Sequence, residues 1–220
     1  MNKRENGFTL IEILVVVAIL GVLMGLVSFL VVRARRHGQI FATEQVVKAH
    51  LPAAIDRFYR ELDRQYPAMT VKELQRLKAF GGLELDNEVN ECSECLLVSL
   101  RHPSLTAPLD ANDLGVDDPF LNNDEDHFNK APAGTGDSAA LEVCDAWGNP
   151  IVYIHKNAYG TPVTIRTKDG LEVEVNALQK PDGTWYNPTK YQLISVGENG
   201  VQDEDAEMGD DIVNIKRGGE

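Results

Sequence analysis

Strings that announce catalysis are missing from this chain. It contains no Gly-x-Ser-x-Gly, no His-Glu-x-x-His and no phosphate-binding loop, the patterns that carry hydrolytic, zinc and nucleotide chemistry. Its five histidines, His37, His50, His102, His127 and His155, are scattered. The expectation is therefore a protein that is not an enzyme. Basic charge is also scarce, with 21 Lys and Arg against 34 Asp and Glu and a formal net charge of −13. That balance argues against nucleic acid as a partner, which needs a basic footprint. The acid is concentrated in the C-terminal two-thirds, which suits an extracytoplasmic domain that binds a divalent cation. Aromatic residues are only 7% of the chain, so the core is expected to be small and single. About 150 residues beyond the N-terminal helix is the usual size of one domain.

One further absence carries more information. From Ile13 to Val32 there is neither a charge nor a proline. This stretch follows a short polar leader, Met1-Asn-Lys-Arg-Glu-Asn-Gly7, and the string Phe8-Thr-Leu-Ile-Glu12. Phe8 to Val32 would make a helix of about 37 Å, enough to cross a bilayer with some tilt. An ordinary secretory signal puts its cleavage site after the apolar stretch; here the polar-to-apolar break, Gly7–Phe8, comes before it. Cutting there leaves the apolar helix on the mature protein. Glu12 is the one charge within the apolar segment. A carboxylate at membrane depth costs roughly 2.5–3.5 kcal/mol at a helix centre and less near an end, so a partner is expected for it. Gly21 and Gly25 form a Gly-x-x-x-Gly pair, a weak signal for close helix approach. Lys3 and Arg4 precede the span and Arg33, Arg35 and Arg36 follow it. Counted alone, these charges would place the C-terminal side in the cytoplasm.

Beyond the span, apolar residues recur at Ile40, Val47, Leu51, Ile55, Phe58 and Leu62, which is helical spacing. The reading is one long helix from Phe8 to about Tyr66, membrane-embedded over 8–32 and an amphipathic spine over 33–66. Pro52 should kink or break it and Pro67 should end it. Thr70, with Glu73 three residues on, opens a second helix as a capping box, which runs to Gly81-Gly82. Asn90–Leu100 reads as a third. The stretch from about 101 to 140 is rich in Pro, Gly, Asn and Asp and reads as a long variable loop region. Its Asn122–Asp126 run reads as a solvated acidic turn rather than a cation ligand. Strands are expected at Ile151–Ile154, Val163–Arg166, Leu171–Val175 and Tyr191–Ser195. Asp169-Gly170 marks a hairpin between the second and third of these. A loop-rich acidic tail follows, with one apolar stretch at Ile212–Ile215. A long helix, minor helices and a loop, then antiparallel strands, make an α+β chain, with residues 67–220 as the head.

Gly7-Phe-Thr-Leu-Ile-Glu12 resembles the type III signal of type IV pilins and type II secretion pseudopilins. The resemblance implies cleavage after Gly7 by prepilin peptidase, N-methylation of Phe8, and pairing of Glu12 with the Phe8 amine of a neighbouring subunit. It also implies a head outside the cytoplasm, against the charge count. Two later strings extend it. Cys144-Asp-Ala-Trp-Gly-Asn-Pro-Ile-Val-Tyr153 is similar to the Asp-x-Trp-Gly-x-Pro-aromatic stretch of major pseudopilins, with Ile151 where the aromatic is usual. Tyr191-Gln-Leu-Ile-Ser-Val-Gly-Glu-Asn-Gly200, followed by Met208-Gly-Asp-Asp-Ile212, resembles their calcium-binding loop. By that resemblance Asn199, Asp210 and Asp211 are calcium ligands, with Asp203 and Asp205 near enough to make up for the asparagine. Residues from about Pro67 to Ala140 match the compact family head poorly.

Cys92, Cys95 and Cys144 leave three readings open. Redox use of Cys92-x-x-Cys95 would want a βαβ setting, which is not visible. Zinc would want a further ligand, for which His102 or His155 can serve without diagnostic spacing. In an oxidising compartment, a disulfide from Cys144 to Cys92 or Cys95 is plausible; the alternative is three small buried apolar side chains. The function expected from all this is a structural subunit of a type II secretion pseudopilus. It would be a single-pass protein of the bacterial inner membrane with a periplasmic head, forming a homo-oligomeric filament. Its partners would be prepilin peptidase, the inner-membrane assembly platform and minor pseudopilins. The alternatives are a type IV pilus subunit and a membrane-anchored extracytoplasmic metal-binding module.

Overall fold

In the computed structural model, which describes residues 10–203 and 210–215, the described part of the chain begins with a helix. Helix α1 (Leu10–Gln45) is followed without a loop by a π-helical turn (Val46–His50) and helix α2 (Leu51–Glu61). The π turn is how the chain accommodates Pro52. Proline offers no N–H to the carbonyl four residues back, and its ring crowds that carbonyl. Widening the preceding turn relieves this: the Leu51 N–H reaches five residues back, to the Val46 carbonyl. Such single-turn widenings inside helices are the usual form of π structure. The expected break at Pro52 is thus a bulge, and the helix continues.

The chain divides into two units, residues 1–39 and 40–220. In the first, the described part is helix, with nearly every large apolar side chain from Leu10 to Val32 exposed. One helix, Leu10–Glu61, is long and apolar enough to cross a membrane, by its N-terminal part.

In the second unit the helix has one buried face. Val46, Val47, Leu51, Ile55 and Phe58 are all fully buried. The π turn packs on strands β6 (Tyr191–Ser195) and β7 (Ile212–Val213), and α2 packs on α4 (Glu91–Leu100). Helix α2 ends at Glu61, five residues short of Tyr66. Asp63 and Arg64 both adopt left-handed backbone, which turns the chain so that the Tyr66 ring packs against those of Tyr59, His155 and Tyr191 at 4.8, 4.9 and 5.9 Å between ring centres. Helix α3 (Val71–Leu74) is a single turn rather than a helix to Gly81. Its N-cap is Thr70, whose hydroxyl accepts from the Glu73 N–H at 3.3 Å, while Glu73 reaches back to the Met69 N–H at 2.9 Å. A 3₁₀ turn at Lys78–Phe80 follows.

Among the described residues, three antiparallel sheets complete the head. Strand β3 (Val152–His155) pairs with β6 and β6 with β7, giving the order β3-β6-β7. Strands β4 (Val163–Arg166) and β5 (Glu172–Val175) form the expected hairpin, with Gly170 at φ +79° in its turn. In the middle region, β1 (Phe120–Leu121) pairs with β2 (Glu142–Val143). The main core joins the helix face, α4 and the β3-β6-β7 sheet, with Tyr153, Leu193 and Ile194 fully buried in it. A smaller core of Val71, Leu74, Phe80, Leu83, Cys95, Val98 and Phe128 lies on the other side of α4. The α+β class holds, with a long N-terminal helix whose later part packs on small antiparallel sheets.

Candidate functional site

The two C-terminal strings singled out in the sequence meet in space. Asp145 is buried at the start of the Trp147-Gly-Asn-Pro150 turn. One of its carboxylate oxygens accepts from the Trp147 and Asn149 N–H groups at 2.9 and 3.0 Å; the other accepts from the Ser195 hydroxyl at 2.6 Å. Asn149 donates to the Gly197 carbonyl at 2.8 Å. Burial pushes the Asp145 carboxyl up to about 6, against the hydrogen bonds from Ser195 and the turn, which favour the charged form. The Ala146 N–H donates to the Thr43 hydroxyl at 3.1 Å, tying this turn to the helix within the head. So Asp145 ties the turn to the end of β6, and Asn149 ties it to the loop that follows.

That loop gathers four of the five residues expected to bind calcium. Asp203, Asp210 and Asp211 each place a carboxylate oxygen within 4.8 Å of the others. The Asn199 N–H donates to Asp210 at 3.0 Å, and the Asn199 amide donates to Asp203 at 3.4 Å. The Asp203 N–H donates to Asp211 at 3.0 Å, and the Asp210 N–H donates to Asp203 at 2.9 Å. One oxygen each of Asp210 and Asp211 is buried without a donor. Burial pushes Asp211 up to about 7, and the charges of Asp203 and Asp210 push the same way. Gly197 shapes the entry to the loop: at φ +66° its added Cβ would stand 2.5 Å from the Asp210 carbonyl oxygen. Hard oxygen ligands in a loop suit calcium. Asp205 lies outside the described residues.

At the other end of the chain, Glu12 lies in the first turn of α1. Gly7 and Phe8 lie outside the described residues.

The cysteines are free and buried. No bond joins Cys144 to Cys92 or Cys95, which corrects that expectation. Cys92 faces the main core and Cys95 the smaller one, while Cys144 sits against the Asn123 amide and the Glu142 carbonyl. Burial pushes Cys92 up to about 12 and the other two well above the ordinary thiol range. Such thiols are inert packing groups.

Sequence reasoning missed a second acidic group. Glu94 on α4, Asp124 in the middle region and Glu142 on β2 are buried with carboxylate oxygens within 4.8 Å of one another. Asp126 is buried beside them, near enough for its charge to raise Glu94 and for that of Asp124 to raise Asp126 itself. Asn122–Asp126 is therefore not a solvated turn. Burial is the main cause in each case, and it pushes Glu94 up to about 11, Glu142 to about 8 and Asp126 to about 7. The available signals were the Asn122–Asp126 run, read as solvated, and Glu94, an acid in the otherwise uncharged stretch Cys92–Leu100.

Compared with known proteins, residues 2–28 match the prokaryotic N-terminal methylation motif, a type IV pilin-like signal. No curated protein and no solved structure matches the chain.

Proposed function

Starting from a chain that carries the N-terminal methylation motif of prepilin peptidase substrates, we propose that it is a structural subunit of a type II secretion pseudopilus. Prepilin peptidase cuts after Gly7 and Phe8 becomes the N-methylated terminus. The helix holds the subunit in the inner membrane as a single pass, with the head in the periplasm, until assembly. Its role is structural, not catalytic. The observation that carries this reading is the motif over residues 2–28, which runs into a helix whose apolar side chains are exposed from Leu10 to Val32. Exposed apolar surface on that scale calls for lipid or for other helices. Bundling such helices gives it a place in both settings.

Glu12 supplies register. A carboxylate in an apolar bundle is tolerated when a cation neutralises it, and the Phe8 amine of the next subunit is that cation. The contacts of Asp145 with the end of β6 and of Asn149 with the loop after it, and the acid gathered in that loop, support a pseudopilin with bound calcium over a type IV pilus subunit. Asn199, Asp203, Asp205, Asp210 and Asp211 are the residues that hold the ion. Glu12→Ala tests the assembly step. The variant should be processed to the wild-type mature length yet yield no filaments when the system is overexpressed. Normal filaments from Glu12→Ala would refute the pairing.

A further inference from the structure

Four acids are buried inside the head where no solvent compensates them. Glu94 and Glu142 are fully buried, and Asp126 and Asp124 are 4% and 8% exposed. They come from three separate places: α4, the 122–126 turn and β2. Both carboxylate oxygens of Glu94, of Asp124 and of Asp126 lack a hydrogen-bond donor. Among the described residues, no ion pair reaches any of the four. The guanidinium of Arg166 pairs with Glu172 and reaches only the backbone carbonyl of Asp124, at 3.5 Å.

Removing an ionised carboxylate from water costs several kcal/mol unless it is paired. Glu142 accepts from the Asn90 amide at 2.7 Å and from the Asn123 N–H at 2.9 and 3.1 Å. Three N–H contacts hold Glu142 as an acceptor, yet Asp124 and Glu94 face it with bare oxygens. A site whose donors are all oxygen, with carboxylates converging from three elements, has the chemistry of a hard divalent cation. We propose that Glu94, Asp124 and Glu142, with Asp126 beside them, form a calcium site inside the head, separate from the C-terminal loop. The ion would cross-link α4, the middle region and β2, and so hold the 101–140 excursion in place. This does not depend on which machine the subunit serves.

Equilibrium dialysis of the full-length mature protein in detergent, with calcium as the ligand, tests it. Wild type should bind two ions. Asp210→Asn with Asp211→Asn should retain one, and adding Glu94→Gln should weaken that one at least tenfold. Glu94→Gln alone, and Asp124→Asn alone, should each lower the wild-type stoichiometry by one. If the wild type binds one ion that survives Asp210→Asn/Asp211→Asn and is lost in Glu94→Gln, the inner site stands and the loop site fails. If Glu94→Gln and Asp124→Asn leave calcium binding unchanged, the inner site is refuted and its acids are a proton-sharing cluster. The two single variants keep this outcome available should the combined variant fail to fold.

Discussion

At the scale of single residues, the loop after β6 gives the sharpest chemistry. A ligand that binds only the folded state stabilises it, by about 2.7 kcal/mol at a hundredfold excess over its Kd. Asp211 is buried against Asp203 and Asp210, so its charge is costly unless a cation answers it. Asp211→Asn should keep the head folded in chelator but lose the loop ion's share of the calcium-dependent rise in melting temperature, leaving the share of the inner site. Thermal melts of wild type and variant, in excess calcium and in chelator, measure this. An unchanged calcium response in Asp211→Asn would discard Asp211 as a ligand. The Asn199 side chain in this loop caps the turn, accepting from the Val201 N–H at 2.8 Å.

At the scale of elements, the helix face decides stability. Phe58 is fully buried on α2 within the main core. Phe58→Ala should cost about 3–5 kcal/mol by lost burial and a residual cavity, measured as a shift in denaturant midpoint of the full-length chain. A loss below about 1 kcal/mol would mean that α2 is not seated there, since even Ile→Val in a packed core costs about that much. Element positions were legible where local signals were strong. The 3.6-residue spacing from Ile40 to Phe58 marked the buried helix face. Val163–Arg166 and Tyr191–Ser195 stand as strands where their β-branched and aromatic residues placed them, and Asp169-Gly170 marked the hairpin turn between Val163–Arg166 and β5. Pro52 was legible as a disturbance but not as a π turn, because that depends on carbonyls one turn earlier. The pairing of Phe120–Leu121 with Glu142–Val143 was illegible. Two-residue strands have no period to read, and their partner lies across a loop region. The strand at Ile212–Val213 read as an apolar patch because its pairing with β6 is a tertiary fact. The inner acidic group was hidden for the same reason: Glu94, Asp124 and Glu142 are far apart in sequence, and runs of acid are usually exposed.

At the scale of the whole molecule, the buried acids set an unusual pH dependence. Burial raises Asp126 and Asp211 to about 7 and Glu142 to about 8 in the folded state, whereas carboxyls in an unfolded chain ionise near pH 4. Between those values the folded state binds more protons than the unfolded one. Stability therefore falls as pH rises through this window. Facing these groups are Glu94, Asp124 and Asp86 around the inner cluster, with Arg166 the nearby cation, and Asp203 and Asp210 around Asp211. Divalent cations compete with the protons, so calcium should reverse the trend. In chelator, the melting temperature should be higher at pH 5 than at pH 8; in excess calcium, the stabilisation by the ion should be larger at pH 8. A chelated protein that melts higher at pH 8 would show that these carboxyls are not held protonated.

The helix joins these scales to the proposed role. Its apolar side chains are exposed from Leu10 to Val32 in the isolated chain, while its Ile40–Phe58 portion is built into the head. Such a subunit is suited to being held in a membrane and then stacked by its helix. That account depends on the mature protein starting at Phe8. Intact mass and N-terminal sequencing of the protein, taken from membranes of a host with its own peptidase, test it most directly. The account predicts a chain beginning with N-methylated Phe8. An uncleaved chain, or one cut beyond Val32, would contradict it.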